Sequence, residues 1–329
     1  MLVAGDVGGT KTDLAVYSGR SSLKSPVARK QFHSADYGSL HAIVAEFLAG
    51  VRIPVSHGVF GVPGPVINGS VETTNLPWVL DEPSLAAALG LKSVHLINDL
   101  QAVAHAIPSL EDGDVVTLNI GEPVLHGPIG VIAPGTGLGE SFLIWNGSGY
   151  VPQVSEGGHM NFAPSDERQI RLLEYLLSRF EHVSVERVCS GIGIPNIYRY
   201  LRDVEEIYES PDVAQQIESV QDPTKAIVDA AFDAGRNTPR CRATIEMFVS
   251  ILGSEAGNLA LKVLATGGIY LTGGVAVHTL RALQEPSFMK AFTDKGRLAD
   301  LMKRVPVHII VTNAALSGAA AYAFENLRD

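Results

Sequence analysis

Residues Val3 to Tyr17 read VAGDVGGTKTDLAVY: an apolar run, a turn of Gly8-Gly9-Thr10, and a stretch alternating through Leu14 and Val16. The same scheme returns 128 positions later, where Val131 to Trp145 reads VIAPGTGLGESFLIW. Glycine at such a turn accepts positive φ and lets backbone N–H groups approach phosphate oxygens with no Cβ in the way. Two strand-turn-strand loops on two half-molecules predict a polyphosphate clamped in a cleft.

Both loops come close to other nucleotide motifs without matching them. Gly5 to Thr12 reads GDVGGTKT against the P-loop pattern G-x-x-x-x-G-K-[ST], but Thr10 stands where glycine is required. A P-loop also opens a helix, whereas Asp13 to Tyr17 alternates like a strand. Gly135 to Gly139 lacks the G-x-G-x-x-G spacing of a dinucleotide-binding turn and runs into the strand-like Phe142-Leu143-Ile144-Trp145. These features argue against a Rossmann dehydrogenase.

Composition narrows the class. A chain of 329 residues is long for one core and suggests two α/β domains, and 46% apolar content suits a globular enzyme. The net charge of −10 comes without a basic block, so nucleic acid is not an expected partner. Cys189 and Cys241 form neither a disulfide framework nor a C-x₂-C zinc pattern, which fits a reducing cytoplasm. With the first strand starting at Leu2 and no apolar run near 18 residues, neither a signal peptide nor a membrane span is expected.

Periodicity gives a coarse plan: strands over 2–7, 13–18 and 27–33, a helix over 38–50, and a buried strand over 57–62. Turn signals at Pro63-Gly64-Pro65 and Asn68-Gly69 predict a hairpin flanked by Val66 and Val71. A helix over 84–89, a strand over 94–97 and a helix over 100–107 follow. The second half repeats the scheme from Gly130 and then inserts helices near 166–181, 184–189, 194–202, 211–217, 223–235 and 239–265. Ile245, Phe248, Leu252, Ala256 and Leu259 share one face of the last of these, while Gly253, Ala256, Gly257 and Ala260 suggest a closely packed neighbour. Strands over 269–272 and 307–311 and a helix over 314–327 end the chain.

Six segments occur in this order: GDVGGTKT (5–12), INDLQAVAHAIP (97–108), PGTGLGE (134–140), SEGGHMNFAP (155–164), VSVERVCSG (183–191) and YLTGGVA (270–276). Together they resemble the bacterial glucokinases of the actin-like ATPase superfamily, over almost the whole chain. The resemblance implies an α/β fold of two RNase H-like lobes, with Mg²⁺-ATP and glucose in a cleft between them. Residues 1–110 with 312–329 would form the small lobe and 111–311 the large one. Relatives are often dimers, so a homodimer is expected. Related kinases of fructose, mannose or an amino sugar share nearly all these features, and a non-kinase actin-like ATPase shares the nucleotide site.

Each motif also has a plainer reading. Asp6, at the end of the first strand, could hold Mg²⁺ through water while Gly5, Val7, Gly8, Gly9 and Thr10 line the phosphates, or it could cap its own turn. Lys11 replaces the asparagine more usual in the family and could touch phosphate or simply be solvated. Asp99 sits where a strand passes into a helix, where Asn and Asp are preferred caps. The resemblance instead makes Asp99 the base that takes the sugar hydroxyl proton and Asn98 a sugar ligand. Glu156 and His159 could bind hexose hydroxyls by charge-assisted hydrogen bonds or resemble metal ligands, but no cysteine lies near them. Glu186 could complement a helix dipole, whereas the resemblance assigns it to glucose, and Asn75 lies on a turn that in relatives is near the sugar. Gly135, Thr136 and Gly137 form the second phosphate loop. Gly273 and Gly274 resemble the loop over which adenosine lies.

Overall fold

The computed structural model describes residues 1–73 and 76–327, and the chain divides into two compact units. The first comprises Met1–Glu111 and the chain from Thr312 onward, with the short piece Tyr150–Pro152; the second comprises Asp112–Gly149 and Gln153–Val311.

The first unit is built on a five-stranded sheet of β1 (Leu2–Val7), β2 (Lys11–Tyr17), β3 (Ala28–His33), β4 (His57–Val62) and the later strand β7 (Ser93–Asn98). Its order is β3-β2-β1-β4-β7, with β1, β2 and β3 antiparallel and β4 and β7 parallel to β1. Sheet centre and helix cover bury both faces of β1, so it reads as an apolar run rather than an alternation. Val3, Leu14, Val16, Phe47 and Phe60 lie in this core. Two short strands, β5 (Ser70–Glu72) and β6 (Val79–Asp81), form a separate pair. The hairpin expected between Val66 and Val71 is reduced to one bridge, Ile67 with Ser70, and Val71 pairs with Leu80 instead. The aligned carboxylate of Asp81 caps the next helix, Glu82–Leu89, and Gly90 closes it at φ 66°.

The second unit repeats the order in a six-stranded sheet. Its strands are β8 (Val115–Asn119), β9 (Ile129–Pro134), β10 (Leu138–Trp145), β11 (Tyr150–Ser155), β12 (Gly268–Leu271) and β13 (Val307–Ile310), arranged β11-β10-β9-β12-β13-β8. β9 and β10 are antiparallel, β12 is parallel to β9, and β13 is parallel to β12. By strand ends, Val7 matches Pro134 and Lys11 matches Leu138, one residue off the offset read from sequence, because sequence alignment of glycines does not fix where pairing stops.

The long helix Pro239–Val263 buries Ile245, Phe248, Leu252, Ala256 and Leu259. A Cβ on Gly253 would collide with the Phe288 carbonyl, and one on Gly257 would lie 2.6 Å from the Phe292 carbonyl oxygen. The small residues therefore admit the helix Pro286–Thr293, which periodicity alone did not reveal. The expected helix over 184–189 is a single 3₁₀ turn, Val185–Arg187. Also unforeseen were β6, β8, β11 and the short helices Gly274–His278, Leu280–Leu283 and Ala299–Arg304.

Candidate functional site

In the first unit the glycine turn joins β1 to β2. Gly8 N–H donates to the Lys11 carbonyl at 2.9 Å and closes the turn. Ser34 pins it from beside: its N–H donates to the Thr10 carbonyl at 2.9 Å, and its hydroxyl donates to the Gly8 carbonyl at 2.7 Å. With those groups engaged, Gly9 and Thr10 supply the N–H groups of the turn that are left for a ligand. Gly5 also meets a packing requirement. It is buried within β1, and a Cβ there would sit 2.6 Å from the Phe60 ring and 2.7 Å from Leu14, so packing demands the glycine. Val7 is likewise buried and offers only its backbone. Lys11 is exposed.

Asp6 follows Gly5 at the strand end and pairs across the hairpin with Asp13. Its carboxyl is pushed up to about 6, first by burial and then by the charge of Asp99, with Asp13 adding and a hydrogen bond with Asn313 opposing. Asp13 is itself buried and held by Arg29, whose Nε donates to it at 3.1 Å, and by Asn313 at 3.3 Å. A divalent cation would relieve the crowding of Asp6 and Asp99. Among the described residues no three His, Cys, Asp or Glu side chains gather to hold a metal.

Asn98 ends β7 and caps the helix Asp99–Ala106: its Oδ1 accepts from Leu100 N–H at 2.9 Å and Gln101 N–H at 3.3 Å. Its amide donates to the Gly64 carbonyl at 3.2 Å and also hydrogen-bonds the Asp99 carboxylate. Asp99 occupies the first helical position, accepting from Leu100 N–H at 2.8 Å, and burial raises its pKa against the pull of that bond. The cap is Asn98, and Asp99 is not needed as one. The helix is seated by the C-terminal helix Ala314–Asn326, where a Cβ on Gly318 would collide with the Ala102 carbonyl.

In the second unit the turn from β9 to β10 closes more tightly, with Gly135 N–H donating to the Gly137 carbonyl at 2.9 Å. The Gly135 and Thr136 carbonyls accept from Gly191 N–H at 2.8 Å and Ile192 N–H at 3.1 Å. Glu186 reaches the same turn: its carboxylate accepts from Leu138 N–H at 2.9 Å, and a Cβ on Gly137 would collide with it. The dipole reading of Glu186 therefore gives way to a bond with the turn, because there is no α-helix for it to complement. Val185 N–H donates to the Met160 carbonyl at 2.9 Å, tying the Glu186 turn to the segment carrying Glu156 and His159.

Glu156 and His159 are exposed, with carboxylate and ring nitrogen 4.0 Å apart. The backbone between them is glycine because a Cβ on Gly158 would collide with the Leu138 carbonyl and one on Gly157 with the Glu140 carboxylate. Gly273, at φ 91°, lies against the end of β9, where a Cβ would be 2.6 Å from the Pro134 carbonyl oxygen. Gly274 begins the next helix with open space beside its Cα. The structure thus gathers Gly135, Thr136, Gly137, Glu156, His159, Glu186 and Gly273 around the start of β10. Asn75 lies outside the described residues.

Sequence reading missed Ser34, Asp13, Arg29 and Asn313 in the first unit and Glu140 and Glu255 in the second. Asp13 and Glu140 carried a signal, a carboxylate inside a strand whose neighbours are all apolar or small. Nothing local marked the others.

A family model described as glucokinase matches residues 3–326. A glucokinase of Nostoc punctiforme is 41% identical over 97% of this chain and 98% of its own. The crystal structure of a glucokinase from an Antarctic psychrotroph superposes with a TM-score of 0.85 at 31% identity, covering 99% of both chains. A ROK family glucokinase from Streptomyces griseus, solved in complex with glucose and AMPPNP, shares the fold at a TM-score of 0.65 and 18% identity, over 99% of both chains. With the duplicated sheets and the two pinned glycine turns, these matches establish that the chain belongs to the glucokinase family.

Proposed function

We propose that this chain transfers the γ-phosphoryl group of ATP to the 6-hydroxyl of D-glucose, giving glucose 6-phosphate and ADP. The observation that carries this reading is the bond from Leu138 N–H to Glu186, which fastens a carboxylate suited to sugar hydroxyls onto a phosphate-type turn. Family membership supports the substrate, and the glucose and AMPPNP complex of the Streptomyces griseus relative is in keeping with it.

In this reading Gly9 and Thr10, and likewise Thr136 and Gly137, offer backbone N–H groups to phosphate oxygens. Adenosine lies over Gly273 and Gly274. Glu156, His159 and Glu186, with the side chain of Asn98, fix the sugar hydroxyls. The 6-oxygen forms a bond to the γ-phosphorus as the bond to the β,γ-bridging oxygen breaks, and Asp99 Oδ takes the hydroxyl proton. Burial makes Asp99 a better base than a solvated aspartate, because its raised pKa strengthens its pull on the proton. Asp6 is the residue that would hold Mg²⁺ through water, and the ion would neutralise charge on the phosphates. Holding the hydroxyl in line supplies most of the rest, since phosphoryl transfer needs alignment more than covalent help.

The test is a coupled assay of phosphate donor against hexose. Formation of glucose 6-phosphate from ATP and glucose, with Mg²⁺ restoring activity after chelation, is the expected result. ATP turnover that ignores every hexose would sink the reading.

A further inference from the structure

Beneath the Gly157-Gly158 backbone lies a buried acidic pair that none of the chemistry above uses. Glu140 projects from β10 and Glu255 from the long helix, 3% and 5% exposed. Oε1 of Glu140 is a buried side-chain oxygen that finds no hydrogen-bond partner among the described residues. Its Oε2 lies where a Gly157 Cβ would stand. Glu255 is better served: Lys262 Nζ lies 3.3 Å from its Oε1, and Asn258 donates to its Oε2 at 3.0 Å. The groups facing the pair are Lys262 from the same helix, Lys295 toward Glu255 from beyond the helix Pro286–Thr293, and Cys189 from the segment after Arg187. Lys262 Nζ also reaches Met160 Sδ at 3.3 Å, at the far end of the same loop.

Lys262 is the cation that acts on both carboxylates, whereas Lys295 is bonded to Ser254 and acts on Glu255, so Glu140 is left short of compensation in a dry site, where an uncompensated charge is costly. A proton between the two carboxylates removes that charge. Burial and then the charge of Glu255 push the Glu140 carboxyl up to about 7, with Lys262 opposing, so that proton is present through the acid side of neutrality. The buried Cys189 thiol, itself pushed well up by burial and both glutamates, stays neutral and adds no charge.

We infer that Glu140 is a positioning residue for sugar binding: a proton it shares with Glu255 lets its carboxyl lie flat against Gly157 and so sets the backbone that carries Glu156 and His159. This rests on the assignment of Glu156 and His159 to glucose. When the shared proton leaves, the two carboxylates repel, and Glu140 presses on the Gly157 backbone against which its Oε2 already lies. The loop then shifts, and the sugar is held less well. Glucose binding and the shared proton therefore favour each other.

Initial-rate measurements from pH 6 to 8.5 test this. The wild type should show glucose KM rising as pH passes through about 7, by about tenfold if sugar binding moves the pair's pKa by one unit, while ATP KM stays flat. E140Q keeps the shape and hydrogen-bonding capacity without an ionisation, and should abolish that rise. E255Q removes the like charge but leaves Lys262, so the rise should move to lower pH. A wild-type glucose KM that is flat across this range, or an inflection unchanged in E140Q, would overturn the inference. If the variants do not fold, carboxyl titration of the wild type by ¹³C NMR decides instead: Glu140 should titrate higher with glucose bound, and equal titration with and without sugar refutes the coupling. E156A separates the two ideas, because an unchanged glucose KM in that variant breaks the sugar assignment itself, whatever Glu140 does.

Discussion

The two glycine hairpins share a strand plan and differ in what holds them. The first turn is closed over Gly8 and Lys11 and pinned by Ser34, a neutral side chain on the adjacent 3₁₀ turn. The second is closed over Gly135 and Gly137 and pinned on one side by backbone donors and on the other by the Glu186 carboxylate. A disturbance of the first turn thus stays with that turn and Ser34. A disturbance of the second spreads to Glu186 and, through Val185 and Met160, to the loop of Glu156 and His159. Under the proposed function, the second turn is therefore where nucleotide and sugar contacts meet.

The sharpest test of the first unit is Asp99→Ala. The proposed loss of the general base should lower kcat by roughly 10²-fold or more while leaving the fold and ATP affinity intact, since Asn98 provides the helix cap. Steady-state kinetics with a thermal melt would check this, and near-normal turnover would dismiss Asp99 as the base. Next in size is Gly137→Ala. Its Cβ must displace Glu186 from Leu138 N–H, and loss of a charge-assisted hydrogen bond corresponds to about tenfold, so KM should rise for both glucose and ATP. An effect on ATP alone would show that the turn and the sugar group are independent. Gly8→Ala forces a Cβ to within 2.9 Å of the Lys11 carbonyl oxygen, and its penalty, less than about tenfold, should fall on ATP only. A rise in glucose KM here would erase the contrast between the hairpins.

The smallest effect concerns protons. Asp6 is raised from 3.8 to about 6, so between those values the folded chain keeps a proton that the unfolded chain releases, and stability falls as pH rises through that window. Binding of Mg²⁺ and nucleotide favours the ionised carboxylate and should release a proton near pH 6, less at pH 8. Calorimetry in buffers of different ionisation enthalpy measures it. Equal proton release at both values would remove Asp6 from the metal.

Much of the fold was legible because its strands are short apolar runs punctuated by glycine, and because the hairpins repeat. The short helices between Gly274 and Arg304 were not, since elements of four to eight residues carry too little periodicity. Asn98 and Asp99 were visible as a polar break after Val94 to Ile97, yet their division of labour was not. Only the bonds to Leu100 and Gln101 show which one caps the helix. Glu140 stood inside a quoted motif and went unremarked, because its partner Glu255 is more than a hundred residues away in sequence and nothing local reports such a meeting. Gly5 taught the opposite lesson: a glycine beside a glycine turn can be required by a phenylalanine.

The helix Ala314–Asn326 lies against β1, β4 and the helix that begins at Asp99, all of which are translated first. Residues 112–311, all but the short piece Tyr150–Pro152, belong to the other unit and come between. On the ribosome, then, the first unit must wait for nearly the whole chain before its last helix can dock, while the second can finish on its own, against the usual tendency of N-terminal domains to fold first. A chain ending at residue 311 should show rapid hydrogen exchange over residues 99–106 with the second unit still protected; slow exchange there would mean that the first unit folds without waiting. The carboxylate assigned to chemistry is accordingly among the last parts of the molecule to become fixed, so that a nascent or truncated chain is a poor kinase before it is a poor fold.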